Sequence, residues 1–115
     1  ISLKEKMVSP VIAQAIYSRA RQLIDMKELD RAVVLLQELV DAYPRSVYKN
    51  WALYHLATIS HARNDDTGAR DMLAEVIQDS TDSILLNTAS SFLKELDVKN
   101  DIAEFNKLKN RFGGN

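Results

Sequence analysis

The stretch AVVLLQELVDAYPRSVYKNWALYHL, residues 32–56, is answered 37 positions later by ARDMLAEVIQDSTDSILLNTASSFL, residues 69–93. Ala32 and Ala69 keep that offset, as do Leu36 and Leu73, Leu39 and Val76, Ser46 and Ser83, Asn50 and Asn87, Ala52 and Ala89, and Leu56 and Leu93. Side-chain size recurs along with identity: small residues return at small positions and large aliphatics at large ones. A period of 20–50 residues marks a solenoid, whose units bury their apolar faces only by stacking on one another. Such an array is most often a surface for another molecule.

Working outward from these two stretches, the apolar residues follow i, i+3, i+4, i+7 spacing, the period of a helix with one buried face. Ser9-Pro10 reads as a helix start, Ser as N-cap and Pro at the first helical position, followed by Ile12, Ile16, Ala20 and Leu23 on one face. After the tight connection Lys27-Glu28, Leu29, Ala32, Val33, Leu36, Leu39, Val40 and Tyr43 mark a second helix, which Pro44 stops because it pushes Tyr43 out of the α region. Ser46 is the expected cap of a third helix, with Trp51, Tyr54, Leu56, Ala57 and Ser60, closed by a left-handed Asn64. Asp65 or Asp66 opens a fourth, with Ala69, Met72, Leu73, Val76 and Ile77. Thr81, Asp82 or Ser83 opens a fifth, with Leu85, Ala89, Phe92, Leu93 and Leu96. Asn100 or Asp101 opens a sixth, with Ile102, Phe105, Leu108 and Phe112. The expected fold is therefore all-α: six helices in three antiparallel hairpins, in units of about 10–45, 46–80 and 81–112, with residues 113–115 as a flexible tail. Ala20, Ala57 and Ala69 are expected at close helix contacts.

Composition bounds the function. At 115 residues the chain is one domain, able to bury a substantial core. Fifteen Lys and Arg against sixteen Asp and Glu leave a formal net charge of −1, which argues against non-specific nucleic-acid binding. With no cysteine, disulfides, thiol nucleophiles and cysteine-ligated zinc are excluded. Three glycines and two prolines are too few turn residues for a β-rich protein. No apolar run is long enough to span a bilayer, so this segment is not expected to insert into a membrane. A start at Ile1 rather than Met is expected of a processed chain or an excised piece.

These positions resemble the tetratricopeptide repeat, which places small residues at its eighth and twentieth positions and often Pro at the thirty-second. With Ala32 twentieth, Ile16 falls fourth, Ala20 eighth, Leu23 eleventh, Leu36 twenty-fourth and Pro44 thirty-second. With Ala69 twentieth, Leu53 falls fourth, Leu56 seventh, Ala57 eighth and Leu73 twenty-fourth. Arg19 and Ser60 depart from the pattern, and a third unit is degenerate: Ser90 and Ser91 replace Leu53 and Tyr54, Thr81 replaces Pro44, and Asn106 or Ala103 stands for the expected Ala. The resemblance implies a right-handed superhelix of helix hairpins that binds protein or peptide and is not an enzyme. Tyr43-Pro44-Arg45-Ser46-Val47-Tyr48, followed by Ala52, Tyr54, Leu56 and Ala57, further resembles bacterial envelope members: the outer-membrane assembly lipoprotein, Tol-Pal coordinator and ancillary Sec translocon subunit types. Periplasm or cell envelope is the location this implies, with cytoplasm as the alternative.

Candidate chemistry is sparse. His55 and His61 are six apart and share no helix face as an i, i+4 pair would, so no metal site is expected. Asp65-Asp66 and Asp79/Asp82 are expected at helix starts, where carboxylates cap exposed N–H groups. No phosphate loop, dinucleotide fingerprint or nucleophile elbow occurs, and no cofactor is implied. The resemblance points to a concave face lined by the first helix of each unit: Gln14, Tyr17, Arg21 and Ile24; then Trp51, Tyr54, Thr58 and His61; then Thr88, Ser91 and Glu95. Tyr17, Arg21, Trp51, Tyr54, Thr58, His61 and Ser91 are the residues expected to hold a partner. Trp51 and Tyr54 read equally as rings packed between neighbouring helices. The Lys and Asn that clamp a peptide carboxylate in some members are absent, their slots holding Tyr17, Arg21, Tyr54 and Thr58. Three functions stay open: a protein-interaction module in envelope assembly or translocation, a self-association (homodimer) module, or the helical appendage of a larger enzyme.

Overall fold

A computed structural model describes residues 3–112, and residues 113–115 of the expected tail lie outside them. Among the described residues there are five helices and no strand. They are α1 (Leu3–Asp25), α2 (Leu29–Ala42), α3 (Lys49–Ala62), α4 (Asp66–Asp79) and α5 (Ser83–Phe112). Consecutive helices pack on each other in an array 69 Å long and 29 × 21 Å across.

The turns repeat with the sequence. After α1, Glu28 N–H donates to Leu23 C=O and Lys27 N–H to Ile24 C=O, around a Lys27 at φ 63°. After α3, Asp65 N–H donates to Ser60 C=O and Asn64 N–H to His61 C=O, around an Asn64 at φ 66°. These are Schellman closures, in which a left-handed residue lets the chain reverse and satisfies the last helical carbonyls. Each member of the first closure lies 37 positions before its counterpart in the second. Between α2 and α3 the chain leaves the helix at Tyr43, before Pro44, as the sequence predicts.

Two buried clusters share α3. Ala52, Leu56 and Ile59 join Ala20, Leu36 and Leu39 toward α1 and α2. Leu53 and Ala57 join Ala69, Leu73, Val76, Leu85, Ala89 and Leu96 toward α4 and α5. A helix apolar on two sides shows no single stripe, which is why Ala52, Leu53 and Ile59 are absent from the face read for it in the sequence. Ala20, Ala57 and Ala69 are fully buried, and bulk added there meets packed neighbours. Across the α3–α4 hairpin, Lys49 bridges Glu75 at 3.0 Å and Asp79 at 3.4 Å. Burial opposes the Lys49 charge, but those two carboxylates outweigh it and raise the pKa.

Four expectations are corrected. The expected fifth and sixth helices are one, because Asp97–Asp101 holds no proline or glycine and α5 runs through it. Once formed, a helix propagates more readily than it breaks and renucleates. Asn100 and Asp101 therefore start nothing, and Ile102, Phe105, Leu108 and Phe112 are exposed. Second, α1 begins at Leu3 with Pro10 inside it rather than at its start. Pro10 is exposed, and with no N–H it leaves one carbonyl of the preceding turn without a helical donor. Third, Ser46 does not cap α3: the helix begins at Lys49, and Ser46 Oγ instead accepts from Tyr48 N–H at 3.0 Å within the preceding turn. Fourth, Ile12 is 39 % exposed, and Ala13 takes the buried place on that turn of α1.

Candidate functional site

Helical spacing decides which side chains meet. On α3, Trp51 and His55 are four apart, and Tyr54, Thr58 and His61 follow at i, i+4, i+7, so the helix presents two neighbouring rows. In the first row His55 faces α1, while Trp51 packs toward the α4–α5 cluster. Tyr17 stacks on Tyr48 with ring centroids 5.0 Å apart and lies 5.6 Å from His55. The Tyr17 hydroxyl and His55 Nε2 share a hydrogen bond of 2.9 Å. Arg21, one turn along α1, holds its guanidinium 6.0 Å from the centre of the Tyr17 ring, close enough for a cation–π attraction.

Around His55 the rings continue toward α5. Trp51 lies 6.5 Å and Tyr54 5.8 Å from His55, and Tyr54 meets Phe92 edge-on at 6.3 Å. Phe92 meets His61 at 5.4 Å. The result is an unbroken aromatic row from α1 across α3 to α5. Burial and the Arg21 charge both disfavour the imidazolium of His55, lowering its pKa to about 4. The ring is therefore neutral at pH 7 and serves as a packing and hydrogen-bonding group.

The second row opens onto a groove. Tyr54, Thr58 and His61 of α3 form one wall, and Asn87, Thr88, Ser91, Phe92 and Glu95 of α5 the other, around about 600 Å³. Asp82 fixes this wall: its Oδ1 accepts from the N–H groups of Ile84 and Leu85, and its Oδ2 from the Trp51 indole at 3.2 Å. At the far end His61 Nδ1 lies 2.7 Å from Asp66 Oδ1. That hydrogen bond, reinforced by Lys99, holds the Asp66 carboxyl below the usual range.

The expected partner-binding residues thus fall into two sets. Tyr54, Thr58, His61 and Ser91 line the groove, together with Thr88 and Glu95. Tyr17, Arg21 and Trp51 stand along the aromatic row outside it. The two readings of Trp51 and Tyr54 merge, since both are half-buried and pack against the α3–α5 core while keeping an open edge. His55, Tyr48, Asn87 and Phe92 were not among the expected residues. The signal for His55 and Tyr48 was present, since 48, 51 and 55 form a helical row of rings. Among the described residues no three His, Asp or Glu side chains converge as metal ligands, and no helix is long and apolar enough to cross a membrane.

Paired helices with small residues at their contacts, closed by the same turn at the same interval, agree with the comparison with protein families. The tetratricopeptide repeat matches residues 14–46 and again 51–83. The chain belongs to the tetratricopeptide repeat family. Such repeats generally mediate protein–protein interaction and typically carry no catalysis. The two matched repeats run from Gln14, within α1, to the end of α4, and α5 supplies the groove's second wall beyond them. No curated protein and no solved structure matches the chain.

Proposed function

We propose that this repeat domain is a non-catalytic interaction module that seats a segment of a partner protein in the groove between α3 and α5. The observation that carries the reading is the lining. Tyr54 and Phe92 offer ring edges to an apolar side chain, while Thr58, Thr88, Ser91 and Asn87 offer hydroxyl and amide groups to a polypeptide backbone. Glu95 stands at the same wall as an acceptor for a basic residue. Tyr17 and Arg21 extend the surface over α1, and aromatics with Arg are the usual anchors of protein contacts.

We place this module in bacterial envelope assembly or translocation, as an accessory factor of the periplasm or cell envelope. The support is the Tyr43-Pro44-Arg45-Ser46-Val47-Tyr48 stretch and the Ala52, Tyr54, Leu56, Ala57 pattern after it. Two experiments test the proposal. A photo-reactive side chain at Ser91 should cross-link one defined protein in cells, and the same group at Gln37, on the exposed face of α2, should not. Equal labelling from both positions would defeat the groove assignment. Fractionation of the expressing cells should place the protein with the envelope, and recovery in the cytosol would overturn that location.

A further inference from the structure

Beyond Leu96, which is buried against α4, every described residue of α5 is exposed. This half-helix is nevertheless strongly amphipathic. Val98, Ile102, Phe105, Leu108 and Phe112 are 50–80 % exposed, and at 100° per residue they fall within an arc of about 120°. A stripe of that width on a solvated helix normally faces a partner.

The stripe is symmetric about its middle. Val98 and Phe112 lie seven residues either side of Phe105, and Ile102 and Leu108 three. The two charged residues inside the arc, Asp101 and Lys109, lie four residues either side and carry opposite signs. Acidic residues gather before Phe105 (Asp97, Asp101, Glu104) and basic ones after it (Lys107, Lys109, Arg111); the exception, Lys99, lies outside the arc and bridges Asp66 at 3.7 Å. A segment with this arrangement complements its own reverse. Two copies laid antiparallel bring Phe105 onto Phe105, Val98 level with Phe112, Ile102 level with Leu108, and Asp101 level with Lys109. A parallel pair would instead set like charges side by side, which opposes association.

We propose that residues 97–112 of α5 pair antiparallel with the same segment of a second copy, on a twofold axis through Phe105. Side chains of this size offer on the order of 500 Å² from each copy, about 1,000 Å² together, the lower bound for a specific interface. The pair is isologous, so it closes at two copies and leaves the groove between α3 and α5 of each copy open.

Sedimentation of the full chain over micromolar to millimolar concentration should show a monomer–dimer equilibrium. Phe105→Glu should raise the dissociation constant at least tenfold without loss of helical circular dichroism, since Phe105 is 65 % exposed. Asp101→Lys should weaken pairing, and Lys109→Asp added to it should restore pairing. The chain has no cysteine, so register can be read by cross-linking. A mixture of Val98→Cys and Phe112→Cys copies should cross-link through a short bis-maleimide, and Phe112→Cys alone should not. A monomer at all concentrations, a dimer indifferent to Phe105→Glu, or cross-linking of Phe112→Cys to itself would each overturn the proposal. So would a wild-type chain that stays monomeric yet binds anionic vesicles through the same stripe.

Discussion

Tyr17 and His55, 38 positions apart, share a 2.9 Å hydrogen bond that joins α1 to α3 across the first two repeats. The bond depends on an imidazole kept neutral by burial and by the Arg21 charge, with a pKa of about 4 against 6.5 for a free ring. Between those values the unfolded chain takes up a proton that the folded chain refuses, so stability is complete above about pH 6.5 and falls as the pH drops toward 4. The loss should reach on the order of 2 kcal/mol, allowing for the part of the ring that still meets water. Melting temperatures from pH 7.5 to 4.5 should fall more steeply for the wild type than for His55→Phe. Equal slopes would show that His55 is not the linked group.

The two Schellman closures are unequal. Lys27 holds a left-handed backbone that costs a side chain about 1–2 kcal/mol, whereas Asn tolerates it better. Lys27 is exposed and its side chain supports no buried contact. Lys27→Gly should therefore stabilise the fold by about 1 kcal/mol, and Asn64→Gly by less. Chemical denaturation of both variants checks the order.

Gly68 and Asp65 are coupled at the start of α4. The Asp65 carboxylate accepts from Gly68 N–H at 2.9 Å, and a Cβ on Gly68 would stand within 2.4 Å of its other oxygen. Gly68→Ala should gain about 1 kcal/mol of helix propensity and lose about as much by displacing the cap, leaving stability nearly unchanged. In an Asp65→Ala background the same change should stabilise by about 1 kcal/mol, because no cap remains to be displaced. Strict additivity in the double-mutant cycle would refute the coupling.

Groove and core can be separated by position. Ser91→Arg fills the groove from an exposed site, so it should lower partner affinity at least tenfold while stability stays within about 0.5 kcal/mol. Tyr54→Ala removes a ring packed on Trp51, Phe92 and the α3–α5 core, and should cost both affinity and about 1–2 kcal/mol of stability. Titration calorimetry against the cross-linked partner, with melts of both variants, reads the two effects apart. Undiminished binding by Ser91→Arg would move the contact surface off the groove.

The class of object is legible in the order of residues alone. Repetition at 37 residues, the small residues at 20, 57 and 69, the stop at Pro44, a cap at Asp65 or Asp66 and the left turn at Asn64 are all local or periodic, and local backbone preferences act through neighbours a few residues away. The resemblance to the tetratricopeptide repeat, carried by those positions, implied a shared face for Tyr54, Thr58, His61, Thr88, Ser91 and Glu95, and they line one groove. Features that depend on distant partners emerge only on packing. Which rows of α3 face α1 and which face α5 rests on two cores competing for one helix, so His55 turned to Tyr17 and Phe92 to Tyr54 and His61. The same holds for the end of the array. Ile102, Phe105 and Leu108 carry the spacing of a packed helix, but a residue is buried only if a surface lies opposite it. With no break between Asp97 and Asp101, α5 runs straight past α4 and carries that stripe into solvent.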